Sequence, residues 1–317
     1  MVKKALLGQV SDTEIRLLRI FKTVVESGGL AAAELELNIG RSTVSRHVKE
    51  LEERLGLVLC RRGRAGFALT PDGQRIYEST LQLLGAMDTF RSGVRDMHDE
   101  LVGTLSVGLF DKTATNPEAC IGQAIRRFRR LAPEVMIDAS VGTLNDIESG
   151  VIDGRLHVGI VPDHRRSESL DYLDLFGETM YLYCGQKHPL FATSAEASAW
   201  DQLREYDYAG LAFHSPNMEA THRFRLRRTA VASDQEAIVS LILSGCYLAF
   251  LPDHYAASFV DAGLIQRISN PECMYQLRFV AISRRSSLAS RLATTFLGAL
   301  RLSHERSNEE SAEQYAL

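Results

Sequence analysis

Residues 40–56, GRSTVSRHVKELEERLG, gather basic and hydroxyl side chains at the front of one short segment. Arginine suits guanine or phosphate, and serine and threonine hydroxyls suit phosphate or either base edge, so this mixture fits contact with DNA. The alternative is an ordinary solvated helix face, capped by Ser42. The residues that could contact DNA are Arg41, Ser42, Thr43, Ser45, Arg46 and Lys49.

The apolar residues of the same segment predict where those polar side chains point. Val44, Val48, Leu51 and Leu55 follow one another at spacings of four, three and four, which is one face of a helix. The polar residues must then lie on the outer side.

Two shorter helical patterns precede this segment, one beginning near Ile15 and ending at SGG (27–29), the other over 30–37. Together the three patterns predict a helix-turn-helix, whose second helix enters the major groove by its N-terminal residues. We expect Gly40 to adopt a positive φ in the turn.

A basic hairpin is predicted next. Two short apolar stretches, 57–59 and 67–69, flank RRGRAG, so the hairpin tip would present Arg61, Arg62 and Arg64 to a phosphate backbone. Such a wing beside the helix favours DNA binding over the solvated face. The charge distribution agrees, since residues 1–72 hold 12 Lys and Arg against 9 Asp and Glu, and the remainder holds 24 against 31.

One long helix is predicted next, with Thr70 as its cap and Pro71 at its first position. Residues 73–102 of this stretch form the predicted linker. Apolar residues alternate by four and three along it, which is the heptad seam of a coiled coil between two copies. Packing of this helix on its own chain is the alternative. The seam residues are Ile76, Leu83, Met87, Phe90, Val94 and Met97.

From residue 103 to 303, short apolar runs alternate with helical ones, which predicts an α/β domain with a largely parallel sheet. A late strand and helix look like a return to the first half, so we expect lobe I over about 103–163 and 270–303 and lobe II over about 164–269. We expect 304–317 to be a frayed polar tail.

A ligand of such a two-lobed domain lies in the cleft, outside the carboxyl ends of the strands. Helices beginning after Thr143 and Ser233 could hold a carboxylate through their backbone N–H groups, so we predict a small anionic metabolite. The candidate cleft residues are Asp111, Lys112, Thr113, Thr143, Asn145, Pro162, Phe213, His214, Ser215 and Ser233.

At this point the sequence resembles the LysR-type transcriptional regulators. The resemblance rests on LLRIFKTVVESGGL, STVSRHVKELEERLG, LVLCRR and LTPDG in the first part, and on LNDIESGVIDGRLHVGIV, HPL and SGCYLAFLP in the second. It implies a winged helix-turn-helix over 1–72, a linker helix that makes the dimer, and a two-lobed effector domain similar to type II periplasmic binding proteins. The implied partners are double-stranded DNA, a small-molecule effector, a second copy or a tetramer of the chain, and RNA polymerase.

The sequence departs from the family pattern at a few positions of the helix-turn-helix. Ala31 stands where Thr is usual, Glu34 where a small residue is usual, Gly40 and Arg41 where Ser and Gln are usual, and Cys60 where Phe is usual. These changes bear on the operator sequence that the protein prefers.

Competing function classes find little support. GxSxG, HExxH, Walker A and GxGxxG motifs are absent and no histidines are metal-spaced, so we expect no catalysis, cofactor or metal. Five scattered cysteines indicate no disulfide framework, although a thiol-based redox sensor of the same architecture stays open, as does a ligand-binding protein without DNA contact. No apolar stretch would span a bilayer and the start lacks a secretory signal, so we expect a cytoplasmic protein without membrane contact.

Overall fold

The structure is a computed structural model that describes residues 10–63, 66–96, 101–192, 200–212, 216–285 and 290–314. The chain forms two compact units, one ending at Arg91 and the other beginning at Ser92.

Three helices build the first unit: α1 (Asp12–Glu26), α2 (Leu30–Leu37) and α3 (Arg41–Leu55). The expected positive φ at Gly40 is wrong. Asn38 instead adopts the left-handed conformation, with φ of 51°, while Gly40 has φ of −58° and is the N-cap residue of α3. The reason is that the left-handed residue is needed where α2 ends, and asparagine tolerates that conformation.

The predicted hairpin is present, but its first strand begins three residues later than expected. Strand β1 (Cys60–Gly63) pairs antiparallel with β2 (Gly66–Leu69), with Cys60 opposite Leu69. Leu59 is fully buried, so the chain leaves the core only after it. Arg61 and Arg62 therefore lie within β1 rather than at the tip, and Arg64 lies outside the described residues.

The linker helix α4 spans Pro71–Asp96, and the Thr70 hydroxyl accepts a 2.9 Å hydrogen bond from the Gly73 N–H at its start. Residues 101 and 102 are not helical, although the sequence predicts helix there. Of the seam, Ile76, Leu83 and Met87 are half-buried, whereas Phe90 is 73% exposed and Val94 42% exposed. Met97 lies outside the described residues.

The second unit contains nine further strands and seven further helices in the described ranges. They are β3 (Gly103–Leu109), α5 (Ile121–Leu131), β4 (Val135–Val141), α6 (Leu144–Ile152), β5 (Val158–Pro162), β6 (Leu170–Gly185), α7 (Trp200–Leu203), β7 (Asp207–Leu211), α8 (Pro216–Phe224), β8 (Arg227–Ala232), α9 (Gln235–Leu243), β9 (Ala249–Pro252), α10 (Asp253–Asp261), β10 (Ile265–Arg267), β11 (Met274–Arg284) and α11 (Arg291–Gln314).

The expected largely parallel sheet is wrong, because the second unit has a mixed sheet. Its strand order is β10-β6-β11-β5-β3-β4, with β9 also paired to β6, and a separate pair joins β7 and β8. β3 runs parallel to β4 and β5, and β7 to β8. β6 and β11 pair antiparallel with each other, β11 pairs antiparallel with β5, and β6 pairs antiparallel with β9 and β10.

Two hydrophobic cores lie at opposite ends of the β6–β11 pair. One gathers around Phe128, Phe279 and Phe296, and the other around Tyr208 and Phe250. Strand β6 enters both cores, and β11 returns the chain from the second core to the first. The prediction of two α/β lobes joined by crossing strands is confirmed.

The expected frayed tail is wrong for most of its length, because α11 continues to Gln314. Its residues Ser303 and His304 are buried, and the Ser303 hydroxyl donates to the carbonyl oxygen of Ala299 at 2.8 Å. This turn of α11 packs on the core of lobe I, where the His304 ring stacks on Phe176.

Close approach of α9 to β6 makes Gly185 sensitive to substitution. A Cβ atom at Gly185 would overlap the carbonyl oxygen of Ile242, whereas a Cβ at Gly122 in α5 meets nothing within 4 Å. We expect Gly185→Ala to lower the free energy of unfolding by about 2 kcal/mol, and Gly122→Ala to leave it unchanged or raise it by up to about 1 kcal/mol. Urea unfolding followed by circular dichroism measures both, and equal effects would contradict this packing.

Candidate DNA-binding surface and ligand cleft

The inner side of α3 is buried. Val44, Val48 and Leu51 are fully buried and share one core with Leu17 and Phe21 of α1. This confirms the predicted apolar face of the third helix. Because that face is fixed against α1, the remaining side chains of α3 have only the outer side available.

The outer side carries the residues that the sequence singled out. Arg41, Ser42, Arg46 and Lys49 are exposed, and Thr43 and Ser45 are half-buried beside them. Lys49 lies 3.7 Å from Glu53, whereas Arg41 and Arg46 pair with no carboxylate of the described residues. Gly40 at the N-cap of α3 has no side chain, and in the described part of the chain no other side chain caps this helix, so its first N–H groups form a point suited to a phosphate.

Glu52 joins the hairpin to α3, and sequence reasoning missed it. Its Oε1 accepts hydrogen bonds from the Leu59 N–H at 2.8 Å and the Cys60 N–H at 3.1 Å. The exposed Arg61 follows directly. A single carboxylate thus sets the position of the basic strand relative to the helix, and nothing in the local sequence distinguishes it from Glu50 or Glu53.

An ion pair fixes α3 to α1. The Arg54 guanidinium lies 2.5 Å from Glu14 and 3.1 Å from Glu50. Hydrogen bonds from the Ser11 side chain and backbone, with a further one from Arg54, hold the pKa of Glu14 at about 2. Glu14 is 6% exposed, so its charge is stabilised by these named partners rather than by water.

Between the lobes of the second unit lies a small cavity with a volume of about 20 Å³, room for about one water molecule. The lining residues are Phe110, Leu144, Pro162, Glu178, Met180, Leu211, Asn217, Gln235, Tyr275 and Leu277. Of the candidate cleft residues, Pro162 therefore lines the cavity directly.

The candidates at the two helix starts have local partners instead. Thr143 caps α6, accepting a hydrogen bond from the Asp146 N–H at 3.3 Å, and Asn145 is exposed. Ser233 is exposed and donates to Asp234, and Asp234 is the cap of α9. Asp234 takes this position because its carboxylate reaches the Ala237 N–H at 2.8 Å.

Asp111 and Lys112 reach across from lobe I to lobe II. The Asp111 carboxylate accepts a hydrogen bond from the Gln235 N–H at 2.7 Å, and the Lys112 ammonium lies 2.6 Å from Glu236. Thr113 is buried within lobe I, and its hydroxyl donates to the Phe110 carbonyl at 3.2 Å. Phe213, His214 and Ser215 lie outside the described residues.

A larger groove, with a volume of about 750 Å³, flanks the crossing strands, and no predicted residue lines it. At its floor His254 hydrogen-bonds Glu178 at 2.9 Å and Thr115 at 2.8 Å. Burial raises the pKa of Glu178, against the effect of the bond from His254. Glu178 and His254 are 76 residues apart in the chain, so no local sequence motif predicts that they pair.

Most of the cysteine thiols lie inside the protein. Cys60, Cys120, Cys184 and Cys273 are buried, Cys246 is exposed, and burial raises the pKa of Cys184 and Cys273 to about 12. Within the described ranges, His, Cys, Asp and Glu side chains form no group of three able to hold a metal ion. In the same ranges, no helix has the length and apolar character required to cross a membrane.

Comparison with known proteins identifies relatives for both units. Residues 15–74 match the family described as "Bacterial regulatory helix-turn-helix protein, lysR family", and residues 98–303 match the "LysR substrate binding domain". The chain is 40% identical over 297 residues to the HTH-type transcriptional activator BauR of Pseudomonas aeruginosa, covering 94% of this chain and 97% of that protein. It is 29% identical to the probable HTH-type transcriptional regulator LrrA of Synechococcus elongatus, covering 74% and 79%.

Solved structures share the fold. The crystal structure of CbnR, a LysR family transcriptional regulator, has a TM-score of 0.63 at 21% identity, covering 92% of this chain and 99% of that one. Full-length CbnR complexed with its target DNA gives 0.62 at 22% identity, covering 91% and 99%.

The low pKa of Glu14 predicts an acid-sensitive first unit. Because the folded-state pKa of about 2 lies below the ordinary 4.5, the stabilisation is complete above pH 4.5 and is lost as the pH falls through 4.5 towards 2. We expect Glu14→Gln to be less stable than the parent at pH 7 and to approach it near pH 2. Thermal unfolding at a series of pH values measures this, with Glu34→Gln on α2 as the control. A constant difference across the series would refute the assignment.

Proposed function

The chain belongs to the LysR family of bacterial transcriptional regulators, and from that premise we propose how its residues read DNA and respond to a ligand. As a member it is a DNA-binding regulator with an effector-binding domain. The observation that carries the proposal is the outer side of α3, where Arg41 and Arg46 are exposed above a fully buried apolar face.

Each polar residue of α3 has a proposed role. Arg41 projects from the leading end of the helix, where a recognition helix contacts base edges, so it reads sequence. Arg46 and Lys49 hold phosphates, and the hydroxyls of Ser42, Thr43 and Ser45 contact phosphates or bases. The hairpin arginines Arg61, Arg62 and Arg64 add phosphate contacts beside the helix.

A second copy of the chain pairs through α4 in this proposal. Phe90 and Val94 are exposed in the single chain and continue the seam of Ile76, Leu83 and Met87, to which Met97 would add. Burying such a seam against its equivalent is favourable, and a dimer presents two recognition helices to two half-sites. Association of two dimers, contact with RNA polymerase, and action in the cytoplasm, where bacterial promoters are, belong to the same proposal.

The effector in this proposal is a small anionic metabolite bound between the lobes. Its binding shifts how the dimers pack and therefore how the DNA bends, which requires different affinities for two quaternary states. Burial of four of the five thiols favours this over redox sensing. The names of the relatives, all transcriptional regulators, favour a regulator over an enzyme.

The reader role of Arg41 is tested by selecting genomic DNA fragments with the purified protein at fixed salt. We expect a dyad-symmetric motif. Arg46→Ala should weaken binding to all sequences about equally and reduce the salt dependence by about one charge. Arg41→Ala should also relax the preference at one base position, at a cost of about 1–3 kcal/mol.

Arg130→Ala, an exposed arginine on α5, is the matched control and should behave as the parent. A uniform loss on all DNA for both test variants would remove the reader role from Arg41. No enriched motif for the parent protein would contradict the DNA-reading proposal itself.

The dimer seam is tested by Phe90→Glu, which places a charge where two copies would meet. We expect the dissociation constant of the dimer to rise by at least about 100-fold, since desolvating an unpaired carboxylate is costly. Sedimentation velocity over a concentration series measures it. Ser79→Glu, exposed and off the seam on the same helix, should change nothing; equal weakening by both would mean that α4 is not the interface.

A further inference from the structure

The contact between Asp111 and α9 joins two parts of the chain that are 124 residues apart. Asp111 follows β3 in lobe I, and its carboxylate accepts the Gln235 N–H in the first turn of α9 in lobe II, at 2.7 Å. The next residue, Lys112, has φ of 61°, a conformation that non-glycine residues rarely adopt. The side chains of both residues cross the cleft to α9.

Two carboxylates therefore share the N-terminus of α9. Asp234 accepts the Ala237 N–H at 2.8 Å, and Asp111 takes the Gln235 N–H beside it. Exposed backbone N–H groups and the helix dipole favour anions at this position. One carboxylate belongs to the helix as its cap, whereas the other comes from the opposite lobe and could be exchanged for a carboxylate from solution.

Contacts beside the Asp111 carboxylate hold the two lobes together independently of it. Lys112 lies 2.6 Å from Glu236 and 4.6 Å from the centre of the Tyr255 ring, and the Tyr255 hydroxyl donates to Glu236 at 2.9 Å. These contacts hold lobe I against α9 on one side of Asp111. They would remain in place if Asp111 itself moved aside, because none of them uses its carboxylate.

A second, independent observation points to a ligand in the same place. Gln235 is only 4% exposed and lines the cleft cavity, yet its side-chain Oε1 has no hydrogen-bond partner among the described residues. A buried acceptor without a donor destabilises the state that contains it. The backbone N–H of this residue holds a carboxylate while its side chain lacks a donor, so one residue presents both halves of a recognition site.

We propose that Asp111 occupies the carboxylate position of the ligand site, and that a small carboxylate bearing a hydrogen-bond donor next to its carboxyl group replaces it there. In the replaced state the ligand carboxylate accepts the Gln235 N–H, and its donor satisfies Gln235 Oε1. Asp111 thus sets a minimum affinity for the ligand, because a ligand must displace a carboxylate that the chain always presents. This inference rests on the proposed small-molecule site between the lobes.

Chemical rescue with formate tests whether the Asp111 position accepts a carboxylate from solution. Asp111→Ala removes one carboxylate, and formate is a free one. The full-length protein is titrated with sodium formate against sodium chloride at constant ionic strength, and the melting temperature is followed. We expect formate to raise the melting temperature of Asp111→Ala by a few degrees in a saturable way, as binding to the native state requires. The parent, Asp111→Leu, whose side chain fills the position, and the exposed Asp261→Ala should show no such rise.

A pair of near-isosteric carboxylates tests the second half. Glycolate and propionate differ in a hydroxyl against a methyl group. In the Asp111→Ala protein we expect glycolate to bind at least about fivefold more tightly than propionate by calorimetry, since the hydroxyl satisfies a buried acceptor. Adding Gln235→Met, which keeps the backbone N–H and removes Oε1, should abolish that preference.

The outcomes separate this inference from the proposed DNA function. Equal formate effects on all four proteins, or none on Asp111→Ala, would overturn the assignment of Asp111. If Asp111→Ala does not fold, Asp111→Asn serves, because its neutral amide should yield to formate more readily than the parent carboxylate; no difference between those two also overturns it. DNA selection with the parent is scored independently, so its failure removes the regulator proposal and leaves the formate result standing.

Discussion

Burial of one face of α3 is the constraint on which the DNA-binding surface depends. The side chains of Val44, Val48 and Leu51 are fully buried. Burying each of them stabilises the folded state by about 1.5–3 kcal/mol relative to leaving it in water. Rotating α3 by half a turn would forfeit that energy. The exposed positions of Arg41 and Arg46 follow from it without any attraction between them and the rest of the chain. The apolar face therefore decides the orientation, and the polar face is free to be selected for its partner.

Two carboxylates extend this arrangement beyond the helix. Glu14 ties α3 to α1 through Arg54, and Glu52 ties the hairpin to α3 through two backbone N–H groups. Both are hydrogen bonds to charged groups, which are stronger than those between neutral groups. They turn separate elements into one rigid unit, and a rigid unit is what allows Arg61 in the hairpin to keep a fixed relation to the helix.

The second unit is organised by the two strands that both lobes share. β6 and β11 pair along most of their length, with a register shift between Arg278 and Val280 near the crossing. Each lobe has its own core, and polar contacts form near the crossing between them. Asp111 with Gln235, Lys112 with Glu236, and His254 with Glu178 are of this kind. Polar contacts can be exchanged for those of a ligand more readily than a packed core can be opened.

Features that depend on neighbours a few residues apart could be predicted from the amino-acid sequence. Helical spacing identified the inner face of α3, and the order of apolar runs identified two α/β lobes, because periodicity is a local property. Packing of whole elements sets where β1 begins, the left-handed conformation of Asn38 rather than Gly40, and the continuation of α11 to Gln314. It also decided that the carboxylate at α9 comes from Asp111, since such pairs form between residues distant in the chain and depend on how whole elements pack.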